Sequence, residues 1–332
     1  MIDLLKDLIN IPSISGQEGE IGRYLVRFFQ DSGFRVKRQP VTEESYNVLA
    51  TTSERATILL CSHMDTVAPF IPYSQKDGTI YGRGACDAKG QIAAMFHALK
   101  KLREEGIPDV GLLVVVNEET NSAGAKKAAQ LSVGSRYVVV GEPTDNKLAV
   151  GQKGLLAFKL EAVGTGGHSS RPDLGQSAIH KLLPILTSWL NSEWGENPLL
   201  GASSVNIGMF NGGVGINVLA PAATAEGVFR VSTSLAEIRD KVKASLPPDI
   251  KFEIQTESEP QHLVRLPGFE TTVVGFGSDA AHLRPLGDIV LYGPGSINVA
   301  HRENEYVLIA DLNRAVEDYV RIVKYLLEYN VK

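Results

Sequence analysis

The 332-residue sequence predicts an α/β protein in which a helix-covered sheet is interrupted by a smaller α+β unit. Three observations lead there. Short apolar runs, at Ile58 to Cys61, Gly111 to Val116, Arg136 to Val140 and Ile289 to Tyr292, have the pattern of strands buried on both faces, with helix-like stretches between them. Near Gly151 the pattern shifts to one-sided alternation, as in Leu155 to Val163. Successive runs also lead into carboxylates: Asp87 in the loop after the first, Glu118 and Glu119 at the end of the second, and Glu142 at the end of the third. Strand ends of this kind are where open α/β sheets place their sites.

In chain order, MIDLLKDLIN opens as an amphipathic helix. Ser15-Gly16-Gln17-Glu18 offers a capping box for a second helix, whose apolar stripe is Ile21, Tyr24, Leu25, Phe28 and Phe29 and which Gly33 ends. Strands are expected near 34–41 and 47–51, before the run at Ile58. His63 and Asp65 then stand at i and i+2, on one side of extended backbone. Asp65 is placed to accept the imidazole N–H and leave the other ring nitrogen for a metal, the plainer alternative being a surface His-x-Asp pair. Segment 67–77, with Pro69 and Pro72, reads as a loop. Gly82, Gly84 and Gly90 permit a tight backbone path around Asp87, for which a cap on the helix running to about Glu105 is the alternative role. At Asn117-Glu118-Glu119-Thr120 two adjacent carboxylates repel, and either a cation or solvent must offset that repulsion. With a metal, one ligates while the other takes a proton from water. A short helix over 124–131 follows, and then Gly141-Glu142-Pro143-Thr144 after the third strand.

Beyond Gly151, a glycine-rich turn carrying His168 precedes a helix over about 175–190. Strands near 203–210, 222–231 and 250–255 and a helix near 235–246 complete a four-stranded sheet with two helices on one face. The chain returns near Pro267 through Gly277-Ser278-Asp279-Ala280 to the last strand. Its final helix, over 309–328, packs its apolar stripe on the sheet.

A hydrophobic content of 43% with 21% charged residues describes an ordinary globular protein, and 332 residues suggest about two domains. A net charge of -5 argues against nucleic acid or an anionic membrane as general partners. Two cysteines, Cys61 and Cys86, are too few for a disulfide framework and point to a reducing compartment. The N-terminus lacks a basic region of the signal-peptide kind, and no apolar run is long enough to span a bilayer, so a cytoplasmic location is expected.

HMDTV, YGRGACDAKG, NEET followed by NSAGAK, and VVVGEPT, in this order, resemble the M20-type metallopeptidases, the group that includes carboxypeptidase G, acetylornithine deacetylase and succinyl-diaminopimelate desuccinylase. Within it, YGRGACDAKG, GEPT and YGPG look most like the amino-group-carrier-protein lysine/ornithine hydrolases. The resemblance implies a zinc-peptidase-like mixed sheet with a catalytic domain of residues 1–152 and 264–332. Residues 153–263 would form an inserted, ferredoxin-like lid and dimerisation domain.

It also implies two divalent ions, Zn²⁺ or Co²⁺, held by His63 and Glu142 on one side and by Glu119 and His301 on the other, with Asp87 bridging. Asp65 would orient His63, Glu118 would act as general base, and the peptide bond after Asp87 would be cis. His168 would stabilise the oxyanion, in dimeric relatives across to the partner's site. Arg230 and, more weakly, Asn217 would bind a substrate carboxylate, and Gly277 and Ser278 would contact substrate, Gly277 standing where relatives often carry Thr. The implied activity is release of lysine or ornithine from an amide on its α-amino group, carried on an acidic carrier protein whose docking calls for a local basic rim. The alternatives are an acetylornithine deacetylase, a desuccinylase or a dipeptidase of the same group, or an inactive metal- or peptide-binding relative. A homodimer or higher homo-oligomer is expected.

Overall fold

Four of the apolar runs read from the sequence become neighbouring strands. In the computed structural model, which describes residues 1–329, the order across the main sheet is Arg35–Pro40, Tyr46–Thr51, Val110–Val115, Ile58–His63, Tyr137–Val140, Asp288–Leu291 and Leu148–Gln152. Ile58–His63 pairs in parallel with Val110–Val115 and Tyr137–Val140, and Asp288–Leu291 continues in parallel. The flanking strands run antiparallel, which makes the sheet mixed. Ile58–His63, Val110–Val115 and Tyr137–Val140 are buried along their whole length, as continuous apolar runs require.

Alternate strand residues face opposite sides. Ile58, Leu60, Leu112, Val114, Val139 and Val290 share one core with four helices, α1 (Ile2–Asn10), α2 (Gly19–Asp31), α3 (Lys89–Glu104) and the final helix Ile309–Tyr329. The central helix α3 is buried on most sides, and the final helix packs alongside it. Ser74–Lys76, Thr79–Tyr81 and Tyr306–Leu308 form a small separate sheet in which the segment read as the 67–77 loop takes part.

The expected capping box is not formed. Glu18 is the N-cap residue of α2 but makes no side-chain cap, and the Ser15 hydroxyl donates instead to Asp65.

The chain divides into two units. The first comprises Met1–Val150, Leu263–Thr272 and the chain from Ser278 on; the second comprises Gly151–His262 and Val273–Gly277. The short segment 273–277 joins the second unit because Lys153 N donates to Val274 O at 3.0 Å and the Gln152 amide donates to Phe276 O at 3.0 Å. Within the second unit, Ser204–Gly212, Ala222–Val231, Gly154–Val163 and Ile250–Ser258 form an antiparallel sheet in that order. Helices α4 (Ala178–Leu190) and α5 (Leu235–Ser245) close its core around Phe158, Trp189, Trp194 and Phe229.

Candidate metal centre

Three strand ends and two loops of the first unit converge on Asp87. His63 is the last residue of its strand and is 1% exposed, with Nε2 at 3.1 Å from Asp87 Oδ1. The other Asp87 oxygen, Oδ2, lies 3.3 Å from His301 Nε2, which is itself 3.0 Å from Glu119 Oε2. One carboxylate thus faces a histidine on each side. Ligand atoms of His63, Asp87 and Glu119 all lie within 4.8 Å of one another.

The Asp87 loop is held from below. Gly82 has φ +142° and Gly84 φ +85°, and a Cβ at either would meet Ile9 at 2.6 Å or Lys89 at 2.8 Å, so the tight path needs glycine at both. Arg83, 2% exposed, donates to Glu305 Oε2 at 2.7 Å, while Glu305 Oε1 accepts from Cys86 N and Asp87 N at 3.0 and 3.1 Å. The Asp87–Ala88 peptide bond is cis. His301 has φ +62° and Asn117 φ +59°; such left-handed residues concentrate at functional sites, where the surrounding structure enforces them.

Asp65 does more than the sequence suggested and does it differently. The His63 Nδ1 contact at 3.0 Å is with the Asp65 backbone carbonyl, and the carboxylate Oδ1 is farther away at 3.5 Å. That carboxylate accepts from Ser15 Oγ at 2.7 Å and from the amides of Glu118 and Glu119 at 3.1 Å each. It therefore fixes the turn that carries both glutamates.

Charge dominates the site. Burial, the largest effect, pushes the Glu118 and Glu142 carboxyls well above the ordinary range, and repulsion from Asp87 and Asp279 adds to it. Burial likewise carries Asp279 up to about 7. For Asp87 burial also pushes upward, but the contacts with His301 and His63 together outweigh it and hold the carboxyl below its usual range. Contacts with Asp87 and Glu119 raise His301 to about 10. His63 is raised as well, because its carboxylate partners together overcome its burial.

Among the described residues no lysine or arginine is ion-paired to Asp87, Glu118, Glu119 or Glu142. Buried acids that no lysine or arginine compensates, arranged with imidazole nitrogens, are a donor set that fits divalent ions of the Zn²⁺ or Co²⁺ type. His63, Asp87, Glu119, Glu142 and His301 would hold them.

The other residues singled out in the sequence divide between the two units. Ser278 is in the first unit and buried. His168, Asn217, Arg230 and Gly277 belong to the second. His168 is exposed, its Nδ1 at 2.8 Å from Ser170 Oγ, and the Asn217 carbonyl accepts from Ser169 N. Arg230 lies on the Ala222–Val231 strand, half-buried, and burial lowers its pKa. A Cβ on Gly277 would meet nothing closer than Leu155 at 3.8 Å, so a threonine there is not sterically excluded.

Three residues of the site went unrecognised in the sequence. In the sequence alone Glu18 reads as part of a cap, and Glu305 and Asp279 carry no role. An arginine between two glycines, destined for burial, was the one signal that called for a carboxylate such as Glu305.

A mixed sheet whose carboxyl ends gather two histidines and several acids around one buried aspartate defines a hydrolase of the metallopeptidase class. The pattern describing Peptidase family M20/M25/M40 matches residues 59–325, and the chain belongs to that family. It is a hydrolase acting on amide bonds. The chain is 35% identical, over 98% of its length and 85% of the relative's, to a peptidase M20 domain-containing protein of Schizosaccharomyces pombe. It is also 35% identical to a probable carboxypeptidase of Emericella nidulans, covering 98% of this chain and 89% of that one. In fold it is similar to the crystal structure of a tripeptidase from Staphylococcus aureus, with a TM-score of 0.82 at 23% identity, covering 97% and 96% of the two chains.

Proposed function

We propose that this hydrolase cleaves the amide on the α-amino group of a small amino acid, lysine or ornithine, presented on an acidic amino-group carrier protein. The observation that carries the hydrolytic part is Asp87, with one oxygen toward His63 and the other toward His301 and Glu119. Divalent ions held by His63, Asp87, Glu119, Glu142 and His301 would supply Lewis acidity toward the scissile carbonyl and lower the pKa of water. Glu118 takes the proton of the attacking water and passes it to the leaving amine, a task for which a carboxyl pushed upward by burial is suited. Asp65 and its two amide contacts keep Glu118 and Glu119 in place. Arg230 offers a half-buried guanidinium with no ion pair among the described residues, a fork suited to the α-carboxylate of the released amino acid. Asn217, Gly277 and Ser278 complete the substrate contacts, and His168 stabilises the developing oxyanion, within one chain or across a dimer. The exposed edge strand Ser204–Gly212, with Met209 and Phe210 exposed, supports a homo-oligomer.

An acidic carrier needs a basic surface, and the chain as a whole is acidic. Support comes from a groove of about 540 Å³ lined by Arg23, Arg27 and Arg38, none of them ion-paired among the described residues. Strand register aligns Arg38 with Val48, Val48 with Val114, and Val114 with Ser62, the neighbour of His63. Three strand steps are about 14 Å, so the groove lies at the same end of the sheet as the acids.

A second reading, a peptidase of free small peptides, is favoured by the carboxypeptidase name of the 35% identical relative. The test is release of lysine and ornithine from carrier-linked substrates beside N-acetylornithine, succinyl-diaminopimelate and dipeptides, using metal-free protein reconstituted with Zn²⁺ or Co²⁺. The carrier-linked amide is expected to be preferred, and changing Arg23, Arg27 and Arg38 to alanine should raise KM for it alone. Faster turnover of dipeptides, unaffected by those changes, would establish the second reading instead.

A further inference from the structure

The turn that carries Glu118 and Glu119 is anchored by three successive backbone amides. Glu118 N and Glu119 N donate to Asp65 at 3.1 Å each, and Asn117 N donates to Glu18 Oε1 at 3.2 Å. Glu18 comes from a different part of the chain. It precedes α2, is 1% exposed, and forms no ion pair among the described residues. Its two oxygens collect three donors from three segments: Gly16 N at 2.9 Å, Asn117 N, and the Ser45 hydroxyl. Burying a carboxylate is costly unless its lone pairs are used, and here they are used to tie Gly16, the 41–45 turn and Asn117 together. Helix capping does not explain this arrangement, because the side chain makes no hydrogen bond to the first turn of α2.

Asn117 is also where the backbone reverses, in the left-handed region. Releasing its amide frees the residue that sets the direction in which Glu118 and Glu119 leave the strand. We propose that Glu18 is a positioning residue for the metal centre: through Asn117 it sets the turn that Asp65 holds from the other side, and so orients the base Glu118 and the metal donor Glu119. This rests on the roles assigned to those two glutamates above.

The experiment compares Glu18→Ala, Glu18→Gln and Glu18→Asp with wild type, reading Zn²⁺ affinity of the metal-free protein by chelator competition, then kcat and KM after loading. Loss of a group that orients a metal donor weakens metal binding or turnover by about 10- to 100-fold. Glu18→Ala is expected to lose that much in Zn²⁺ affinity and kcat, with KM within about twofold and a native circular dichroism spectrum. Glu18→Gln should recover most of it, since its amide oxygen still accepts from Asn117 N and the Ser45 hydroxyl can turn to accept. Glu18→Asp keeps the charge but withdraws it by one methylene and should behave like Glu18→Ala, which keeps the test open if the alanine variant does not fold.

A double variant with Asp65→Asn should lose less than the product of the single losses, because both groups hold one turn. Wild-type Zn²⁺ affinity and kcat in a folded Glu18→Ala or Glu18→Asp protein would overturn the proposal, as would equal losses in all three variants that follow melting temperature. If instead Glu118→Gln were fully active, the assignment of the base would fail, while the Zn²⁺ arm would still report the turn through Glu119.

Discussion

Glu118 and Glu119 are chemically identical neighbours, and their surroundings separate their roles. Glu119 faces His301 at 3.0 Å, and its ligand atom groups with those of His63 and Asp87. Glu118 makes no ion pair among the described residues and is pushed up by burial and by the acids around it, which is how a general base is tuned toward neutral pH. Glu118→Gln keeps the shape and removes the basic site. Its kcat is expected to fall by roughly 10²- to 10⁴-fold, the range for losing one acid-base group. Zn²⁺ binding, read by calorimetry, should stay within a few-fold of wild type. Full turnover in this variant would remove Glu118 from the proton transfer, whereas loss of Zn²⁺ binding would make it a ligand. The His63–Asp65 pair shows how far local spacing carries. Spacing i, i+2 put both residues on one side, but only the folded chain shows the imidazole meeting the Asp65 carbonyl while the carboxylate serves the Glu118–Glu119 turn.

At the scale of elements, legibility follows the range of the interaction. Continuous apolar runs became the strands Ile58–His63, Val110–Val115 and Tyr137–Val140, since burial on both faces is written into each run by itself. The acids at their ends were legible for the same reason. The strand Thr79–Tyr81 was not, because its partners are Ser74–Lys76 and the distant Tyr306–Leu308, and three residues show no period. Glu18 and Glu305 were missed on similar grounds, since each serves a loop far away in the chain. The Asp87 loop makes this dependence measurable. Arg83 and Glu305 are both buried and paired at 2.7 Å, and removing one partner of a buried pair leaves a bare charge. Arg83→Met should destabilise the protein by about 3–5 kcal/mol in denaturant unfolding. Adding Glu305→Gln should restore part of that, because the amide oxygen can still accept from Cys86 N or Asp87 N. A single variant within about 1 kcal/mol of wild type, below the effect expected for a stranded buried charge, would show that the pair does not hold the loop.

For the whole molecule, the gathered acids set how stability depends on pH when no metal is bound. Asp279 titrates at about 7 in the folded protein against 3.8 when free, and Glu118 and Glu142 are shifted in the same direction. A carboxyl with a raised folded pKa binds its proton more tightly in the native state, so its penalty is absent at low pH and grows until pH passes the folded value. His301, raised to about 10, adds stability that is complete below 6.5 and lost on the way to 10. Lys89 opposes this above neutrality: burial lowers it to about 7, so folding disfavours its charge and stability recovers as pH rises from there toward 10.5. His97 and His282, lowered by burial, oppose it weakly below 6.5. Between pH 5 and 7 the three acids therefore dominate, at roughly 1.4 kcal/mol for each pKa unit. The metal-free protein should melt several degrees lower at pH 7 than at pH 5. Saturating Zn²⁺ should raise the melting temperature most at pH 7, where the acids that bind it no longer carry protons, and reverse the order. Scanning calorimetry of chelated and loaded protein at the two pH values decides it. A chelated protein that is more stable at pH 7 would mean that Glu118, Glu142 and Asp279 are neutralised within the fold by something other than a metal.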